Sequence, residues 1–375
     1  MLQTADLPDI AESDIYRPDN RIAGRLVLED GTVFDGWAFG HPASIAGEVV
    51  FNTGMAGYPD TLTDPSYRGQ ILTLTYPLIG NYGVPSSRKT GNLNLNFESN
   101  RIQVQALVVS DYSLEYSHWN AARSLSDWLK SEKIPAITGI DTRSLTQILR
   151  EKGAMLGKIE FGDETISFYN PNLLNLVAET SIDKPVVYGE AAKRVVLIDC
   201  GAKHNILHNL LSRDVQVLRV PWDYDLSGEN FDGLMISNGP GDPKTCRATV
   251  ETIRGVMARD IPVFGICMGH QLLSLAAGAN TYKLKYGHRS QNQPVIDVKS
   301  GRCLITSQNH GFAVDDQNLP DEWETWFVNL NDNTNEGISH KSKPFRSVQF
   351  HPEAAPGPVD ADYLFDDFIR IVNNM

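Results

Sequence analysis

Between Arg194 and Leu273 the chain alternates two incompatible hydrophobic periods, and that alternation limits the folds open to it. RVVLIDCG (Arg194 to Gly201) is a continuous apolar run, the pattern of a strand buried on both faces. HNILHNLLSRD (His204 to Asp214) places Ile206, Leu207, Leu210 and Leu211 at helical spacing. VQVLRVP (Val215 to Pro221) reads as strand again. DGLMISNGPGDP (Asp232 to Pro243) reads as a strand running into a glycine-rich loop, and Cys246 to Arg259 as a helix. IPVFGI then supplies another strand, and MGHQLL opens another helix. This order predicts a parallel sheet wrapped by helices. In such sheets ligands sit at the carboxyl ends of the strands. The SNGPGDP loop and Cys267 both fall at that edge.

The first half follows a different grammar. LVLEDGTVFDGWAFG (Leu26 to Gly40) sets two apolar runs about Asp30-Gly31, a strong hairpin signal. Gly47 to Gly83 continues with short β-branched runs punctuated by Gly, Pro and Asn, and Arg101 to Asp111 reads as a further strand. Helical spacing appears at Leu125, Trp128 and Leu129. It returns at Leu145, Ile148 and Leu149, ending before Gly153 as a C-cap. No catalytic constellation is visible here. The fold class expected is α/β in two units. A mixed, β-rich N-terminal domain spans 23–170, and a linker spans 171–192. A mostly parallel domain with a nucleophile elbow spans 193–375, and an extension of residues 1–22 precedes them all. A chain of 375 residues that is 41% hydrophobic has enough apolar material for two cores.

A formal net charge of −13 argues against a nucleic-acid partner, because binding phosphates needs a basic surface. No apolar run is long enough to cross a membrane, and the acidic N-terminus lacks the apolar centre of a signal peptide. The four cysteines, Cys200, Cys246, Cys267 and Cys303, fit neither a disulfide framework nor a zinc site. Scattered single cysteines suit a reducing compartment. The expectation is a soluble, cytoplasmic protein with no metal site and no membrane or nucleic-acid partner.

Cys267 admits two local readings. A free cysteine is often a small buried hydrophobe. Against that, Gly265 and Gly269 flank it at −2 and +2, a strand precedes it and a helix follows it. These are the surroundings of a nucleophile on a tight, strained turn. The dipole and free N–H groups of the helix start would favour a thiolate and can bind an oxyanion. A thiolate needs a base, and SVQFHPEAAPGP (Ser347 to Pro358) offers His351, with Glu353 two residues on. In an extended chain both project from one face, so the carboxylate can orient the imidazole. The alternative is an exposed His-Pro turn. His270 and His310 are further candidates for the base, though structural roles suit them better. His204 and His208 lie four apart with no third ligand beside them.

Taken together, Gly265-Ile266-Cys267-Met268-Gly269-His270-Gln271, His351-Pro352-Glu353 and SNGPGDP resemble the class I (triad) glutamine amidotransferases. LVLEDGTVFDG, GEVVFNTGMAGYPDTLTDPSY, LTLTYPLIGNYG, GIDTRSLTQILREKGAMLG, YGHRSQNQPV, QNHGFAV and HPEAAPGP narrow the resemblance to the small-subunit family of carbamoyl-phosphate synthases, from about Leu26 to near the C-terminus. That resemblance implies Cys267 as nucleophile, His351 as acid and base, and Glu353 as its orienter. It places the oxyanion hole at Gly241 and Met268. It implies an L-glutamine site lined by Ser66, Gly239, Gly241, Met268, Gln271, Asn309, Gly311 and Phe312. It also implies a large-subunit partner, and the N-terminal domain, with no catalytic constellation of its own, is expected to dock it. No nucleotide fingerprint occurs in this chain, so ATP and divalent metal are expected in the large subunit and no cofactor here. The large subunit would make carbamoyl phosphate from bicarbonate and ATP for arginine and pyrimidine biosynthesis. The run Ser290-Gln291-Asn292-Gln293 departs from the family's glycine-rich pattern and bears on the local loop. Three alternatives remain: an amidotransferase subunit of another synthase, a stand-alone cysteine hydrolase, and a scaffold with a remnant pocket.

Overall fold

The Asp30-Gly31 signal yields a hairpin. Ala23–Leu28 and Val33–Ala38 pair antiparallel around a turn in which Gly31 takes φ 88°. In the computed structural model, which describes residues 22–375, five more strands extend this hairpin. They are Met155–Phe161, Ile45–Asn52, Gln70–Leu74, Ala106–Val108 and Ala136–Thr138, and together the seven close a barrel. Closure leaves no unpaired edge to attract another strand. Leu26, Val49, Ile71, Val108 and Ile159 form one buried cluster with Leu145 and Leu149 of the helix Thr142–Lys152. Trp128, on the helix Leu125–Ser131, packs in a second cluster with Phe97, Tyr67 and Leu62. The strand expected over Arg101 to Asp111 is confined to Ala106–Val108. Before it, Gln103 and Gln105 interrupt the apolar run and Val104 makes only an isolated bridge. Of the expected N-terminal extension, residues 1–21 lie outside the described residues.

The second half is built on a ten-stranded sheet. Its central five strands run parallel in the order Gln216–Pro221, Arg194–Asp199, Gly233–Ile236, Val263–Ile266 and Phe345–Val348. Along Arg194–Asp199 successive side chains enter opposite clusters. Val195 and Leu197 pack with Leu207 and Phe368 on one face, and Val196 and Ile198 with Ile253 and Leu272 on the other. Beyond the centre the sheet is antiparallel, so the expectation of mostly parallel strands holds for the centre alone. The physical reason is the connections: helical crossovers make neighbours parallel, while short turns make them antiparallel. Asn280–Asp297 and Cys303–Asp315 pair through such a turn, at Gly301. The segment 171–192 carries the helix Leu176–Thr180 and an edge strand, Val186–Tyr188, that pairs antiparallel with Gln216–Pro221.

Two glycines let the helix Met268–Ala277 lie close on this sheet. A Cβ on Gly269 would stand 2.2 Å from the Ile236 carbonyl oxygen, and one on Gly265 would stand 2.4 Å from the Gly269 carbonyl oxygen. Both obstacles are backbone atoms, which cannot rotate away. Gly269→Ala is therefore expected to destabilise the protein by about 1–3 kcal/mol or more, the usual range for overpacking. A chemical-denaturation midpoint equal to wild type would refute this packing constraint.

Candidate active site

Cys267 ends the strand Val263–Ile266 and stands at the N-cap of the helix Met268–Ala277, with φ 53° and ψ −101°. A non-glycine residue in that region is strained, and the surrounding sheet must hold it. Its N–H donates to the Val348 carbonyl (2.9 Å), which ties the turn to the neighbouring strand. Its thiol lies 3.7 Å from the Asn309 carbonyl oxygen. Register brings the candidate base to it. Ile266 pairs with Val348, so the chain that continues past Val348 emerges beside the turn.

His351 and Glu353 lie on that continuation, both buried. Glu353 Oε1 is 2.6 Å from His351 Nδ1. The chain is turned here rather than extended as the sequence suggested, and Ala354 N–H bonds back to the His351 carbonyl. Burial disfavours a charged ring, but the Glu353 carboxylate overrides it and holds His351 protonated well above its ordinary range. The nearby Cys267 thiol contributes in the same direction, although His351 Nε2 is buried without an aligned hydrogen bond. Glu353 is disfavoured as an anion by burial in turn. Lys203 and His351 nonetheless keep its carboxyl well below the usual range.

Lys203 is one of the residues that sequence reasoning missed. Its ammonium is buried, 3.1 Å from Glu353 Oε1 and 2.5 Å from the Ala354 carbonyl. Burial opposes its charge, but Glu353 and then Glu98 raise its pKa. The only signal in the sequence is its place just after the strand Arg194–Asp199, at the carboxyl edge of the sheet.

In front of the thiol lies a cleft that both domains line. All eight residues expected around L-glutamine border it with Cys267: Ser66, Gly239, Gly241, Met268, Gln271, Asn309, Gly311 and Phe312. His351 and Glu353 are not among its lining residues. Gly241 has φ 84°, which favours glycine, and a Cβ on Gly239 would meet the Cys200 carbonyl oxygen at 2.1 Å. Gln271 donates from Nε2 to the Phe312 carbonyl (2.9 Å) and to Gln349 Oε1 (3.1 Å). Ser66 comes from the first half, and its hydroxyl accepts from Asn238 Nδ2 (2.9 Å). Beside it, Asp64 Oδ2 accepts from Asn309 Nδ2 (2.9 Å), so one carboxylate ties the barrel domain to the pocket strand.

Glu48, Lys283 and Arg289 also line the cleft and were not foreseen. Lys283 Nζ lies 2.5 Å from Glu48 Oε1, and Asn172 Nδ2 donates to the same oxygen at 2.9 Å. Arg289 is buried, with Nε unpartnered. A lone glutamate inside the apolar run GEVVF was the readable signal for Glu48. Ser290 and Gln291, in the departure from the family pattern, continue the strand Asn280–Asp297 through a register shift. Gln291 Nε2 donates across to the Ala56 carbonyl of the first half (2.7 Å).

His270, His310, His204 and His208 make their hydrogen bonds to groups other than the thiol. His270 Nδ1 is 2.9 Å from Ser347 Oγ, and burial pushes its pKa down to about 3. His310 Nδ1 is 2.8 Å from the Phe312 carbonyl. His204 Nδ1 accepts from Asn94 N–H (3.0 Å), and His208 Nε2 is 2.9 Å from the Asn94 carbonyl, so their rings serve the domain contact. His288, His310 and Glu336 gather in one buried group. There His288 pairs with Asp332 at 2.7 Å and with Glu336 at 3.4 Å.

Comparison with known proteins covers both halves. Residues 196–371 match the family glutamine amidotransferase class-I. Residues 26–159 match the family carbamoyl-phosphate synthase small chain, CPSase domain. The chain is 52% identical over 358 residues to the carbamoyl phosphate synthase arginine-specific small chain of Neurospora crassa, a match covering 92% of this chain and 79% of that one. To the protein of the same name from Saccharomyces cerevisiae it is 50% identical over 356 residues, covering 91% and 86%. It is also 50% identical over 352 residues to the mitochondrial carbamoyl-phosphate synthase [ammonia] of Homo sapiens. It spans 92% of itself but only 23% of that longer protein.

The Glu353 carboxylate makes a testable contribution to stability. Its folded pKa lies below the ordinary value of 4.5, so its stabilisation is present above that pH and is lost as pH falls below it. Melting temperature should therefore drop on acidification below about 4.5. In Glu353→Gln that part of the curve should flatten. Parallel acid limbs in the two proteins would show that Glu353 is not held as an anion.

Proposed function

The chain belongs to the carbamoyl-phosphate synthase small-chain family, and on that premise we propose that it is the glutaminase subunit of such a synthase. The observation that carries the reading is the convergence of a strained Cys267, a protonated His351 and a buried Glu353 behind a cleft lined by both domains. A cationic imidazole and a helix start are the surroundings in which a cysteine acts as a nucleophile. Cys267 attacks the side-chain amide carbon of L-glutamine. The backbone N–H groups of Gly241 and Met268 receive the developing oxyanion, as preorganised dipoles that need no rearrangement during the reaction. His351 gives its proton to the departing ammonia and then accepts one from the water that cleaves the thioester. Glu353 holds the imidazole in register, and Lys203 holds Glu353. Ser66, Gly239, Gln271, Asn309, Gly311 and Phe312 form the walls that position the amino acid.

The ammonia serves a large chain that uses bicarbonate and ATP, with divalent metal, to make carbamoyl phosphate for arginine and pyrimidine biosynthesis. Support comes from relatives such as the human protein, in which a segment like this one makes up only 23% of the length. Ammonia must travel unprotonated, because ammonium has no lone pair, and that favours an enclosed route. The N-terminal domain is the docking module in this reading. Leu114, Tyr116 and Trp119 are exposed on it, Trp119 by 89%. A large apolar ring left that open can serve as an anchor for a partner. Four free cysteines fit a reducing, cytoplasmic setting. Among the described residues, no helix is long and apolar enough to cross a membrane.

Two measurements test this. Cys267→Ser should lower glutamine hydrolysis by at least about 10³-fold, while synthesis from added ammonia by the assembled complex survives. Retained glutaminase activity would remove Cys267 as the nucleophile. Trp119→Asp should weaken association with the large chain by at least about tenfold, since anchors of this type often contribute 2 kcal/mol or more. Unchanged affinity in a titration would move the docking surface elsewhere.

A further inference from the structure

The helix His204–Leu211 begins without a side-chain cap of its own. Its N-cap position is Lys203, whose side chain runs inward to Glu353 and Ala354 and is not available to the helix's free N–H groups. The missing acceptors come from the other domain. Glu98 Oε2 accepts from Asn205 N–H (3.2 Å), and the Glu98 carbonyl accepts from His204 N–H (2.9 Å). Glu98 is itself fixed by Thr63, whose Oγ1 accepts its N–H (2.9 Å), next to the Asp64 that ties the barrel to the pocket. The other end of the relay reaches the triad. Asn205 Nδ2 donates to the Glu353 carbonyl, and Lys203 Nζ pairs with the Glu353 carboxylate.

We infer that Glu98 is a positioning residue for the Cys267 site, acting across the domain seam by capping the helix whose first residues hold the Glu353 turn. The inference rests on the glutaminase reading above and adds a part to it. Glu98 is buried and faces Lys203, Asp60 and Glu353. Burial pushes its pKa up to about 8, so near neutrality it is a neutral acid that still offers an oxygen to Asn205 N–H. In that form it does not compete with Glu353 for the Lys203 charge. Once ionised, it does. Asp60, which shares this environment, is pushed by burial to about 6 and titrates lower.

The test uses the full chain and three proteins: wild type, Glu98→Ala and Glu98→Gln. Glutamine hydrolysis is followed against pH. Alkylation of Cys267 by iodoacetamide is followed peptide by peptide, with the exposed Cys303 as internal reference. Glu98→Ala should lower kcat about tenfold with KM within about twofold, and slow Cys267 alkylation relative to Cys303 by a similar factor. Glu98→Gln keeps the acceptor oxygen and should recover both at pH 7 to within about twofold. It should also lack the change in rate that wild type shows as pH rises through about 8. The inference is overturned if Glu98→Ala matches wild type in both assays, if Glu98→Gln fails as Glu98→Ala does, or if Glu98→Gln keeps the inflection. Should Glu98→Ala not fold, the pH profile of Glu98→Gln decides alone. A wild type that does not hydrolyse glutamine, yet whose Cys267 alkylation follows Glu98 as described, removes the glutaminase reading and leaves the positioning role standing.

Discussion

A single buried ammonium, that of Lys203, connects the fold of this chain to its chemistry. An unpaired charge of that kind would cost several kcal/mol, and it persists only because carboxylates surround it. Those carboxylates come from both halves of the molecule. Glu353 belongs to the turn after the last strand of the sheet, while Asp64 belongs to the barrel domain, as does Glu98, which adds its charge only once ionised. The same cation therefore orients the partner of His351 and gives the two domains a reason to stay together. The imidazole gains its charge from Glu353, which Lys203 keeps ionised even as the Lys203 charge itself opposes that of His351.

Much of the second half was legible because its signals are local. Continuous apolar runs separated by helical periods produce a parallel centre whatever surrounds them, and RVVLIDC and IPVFGI both lie in it. GICMG was legible for the same reason. Two glycines around a residue between strand and helix leave few other conformations, and the φ of 53° at Cys267 is the outcome. The eight pocket residues were found through resemblance rather than pattern. Nothing in the periodicity of QNHGFAV says that Asn309 and Phe312 face a thiol.

What escaped the sequence depends on partners distant in the chain. Barrel closure needs Ala23–Leu28 to pair with Met155–Phe161, and no window of residues contains both. The antiparallel wing of the sheet is set by the connections after Gly278, where helix crossovers give way to turns. Lys203 in CGAKHN looks like a solvated loop lysine. It is buried, paired with Glu353 from the far end of its own domain and facing Glu98 of the other. Glu48 escaped in a similar way: its strand is a barrel strand, but its carboxylate serves Lys283 from the other domain. Burial of a charged residue is a property of assembly, and a local pattern cannot report it.

The tie made by Asp64 has a consequence of a different kind. Asp64 holds Asn238 and Asn309 of one body, while Ser66, two residues along the same turn, faces the thiol. The pocket therefore has a wall on each domain, and its width depends on how the two are docked. A ligand that fills the gap touches both walls at once. Anything that seats on the outside of the barrel and favours the same docking must then tighten that ligand by the factor that the ligand tightens it. Linkage of this sort needs no moving loop and no second pocket. It follows from a cleft whose walls are shared by two domains, with the Asp64 carboxylate bonded across them.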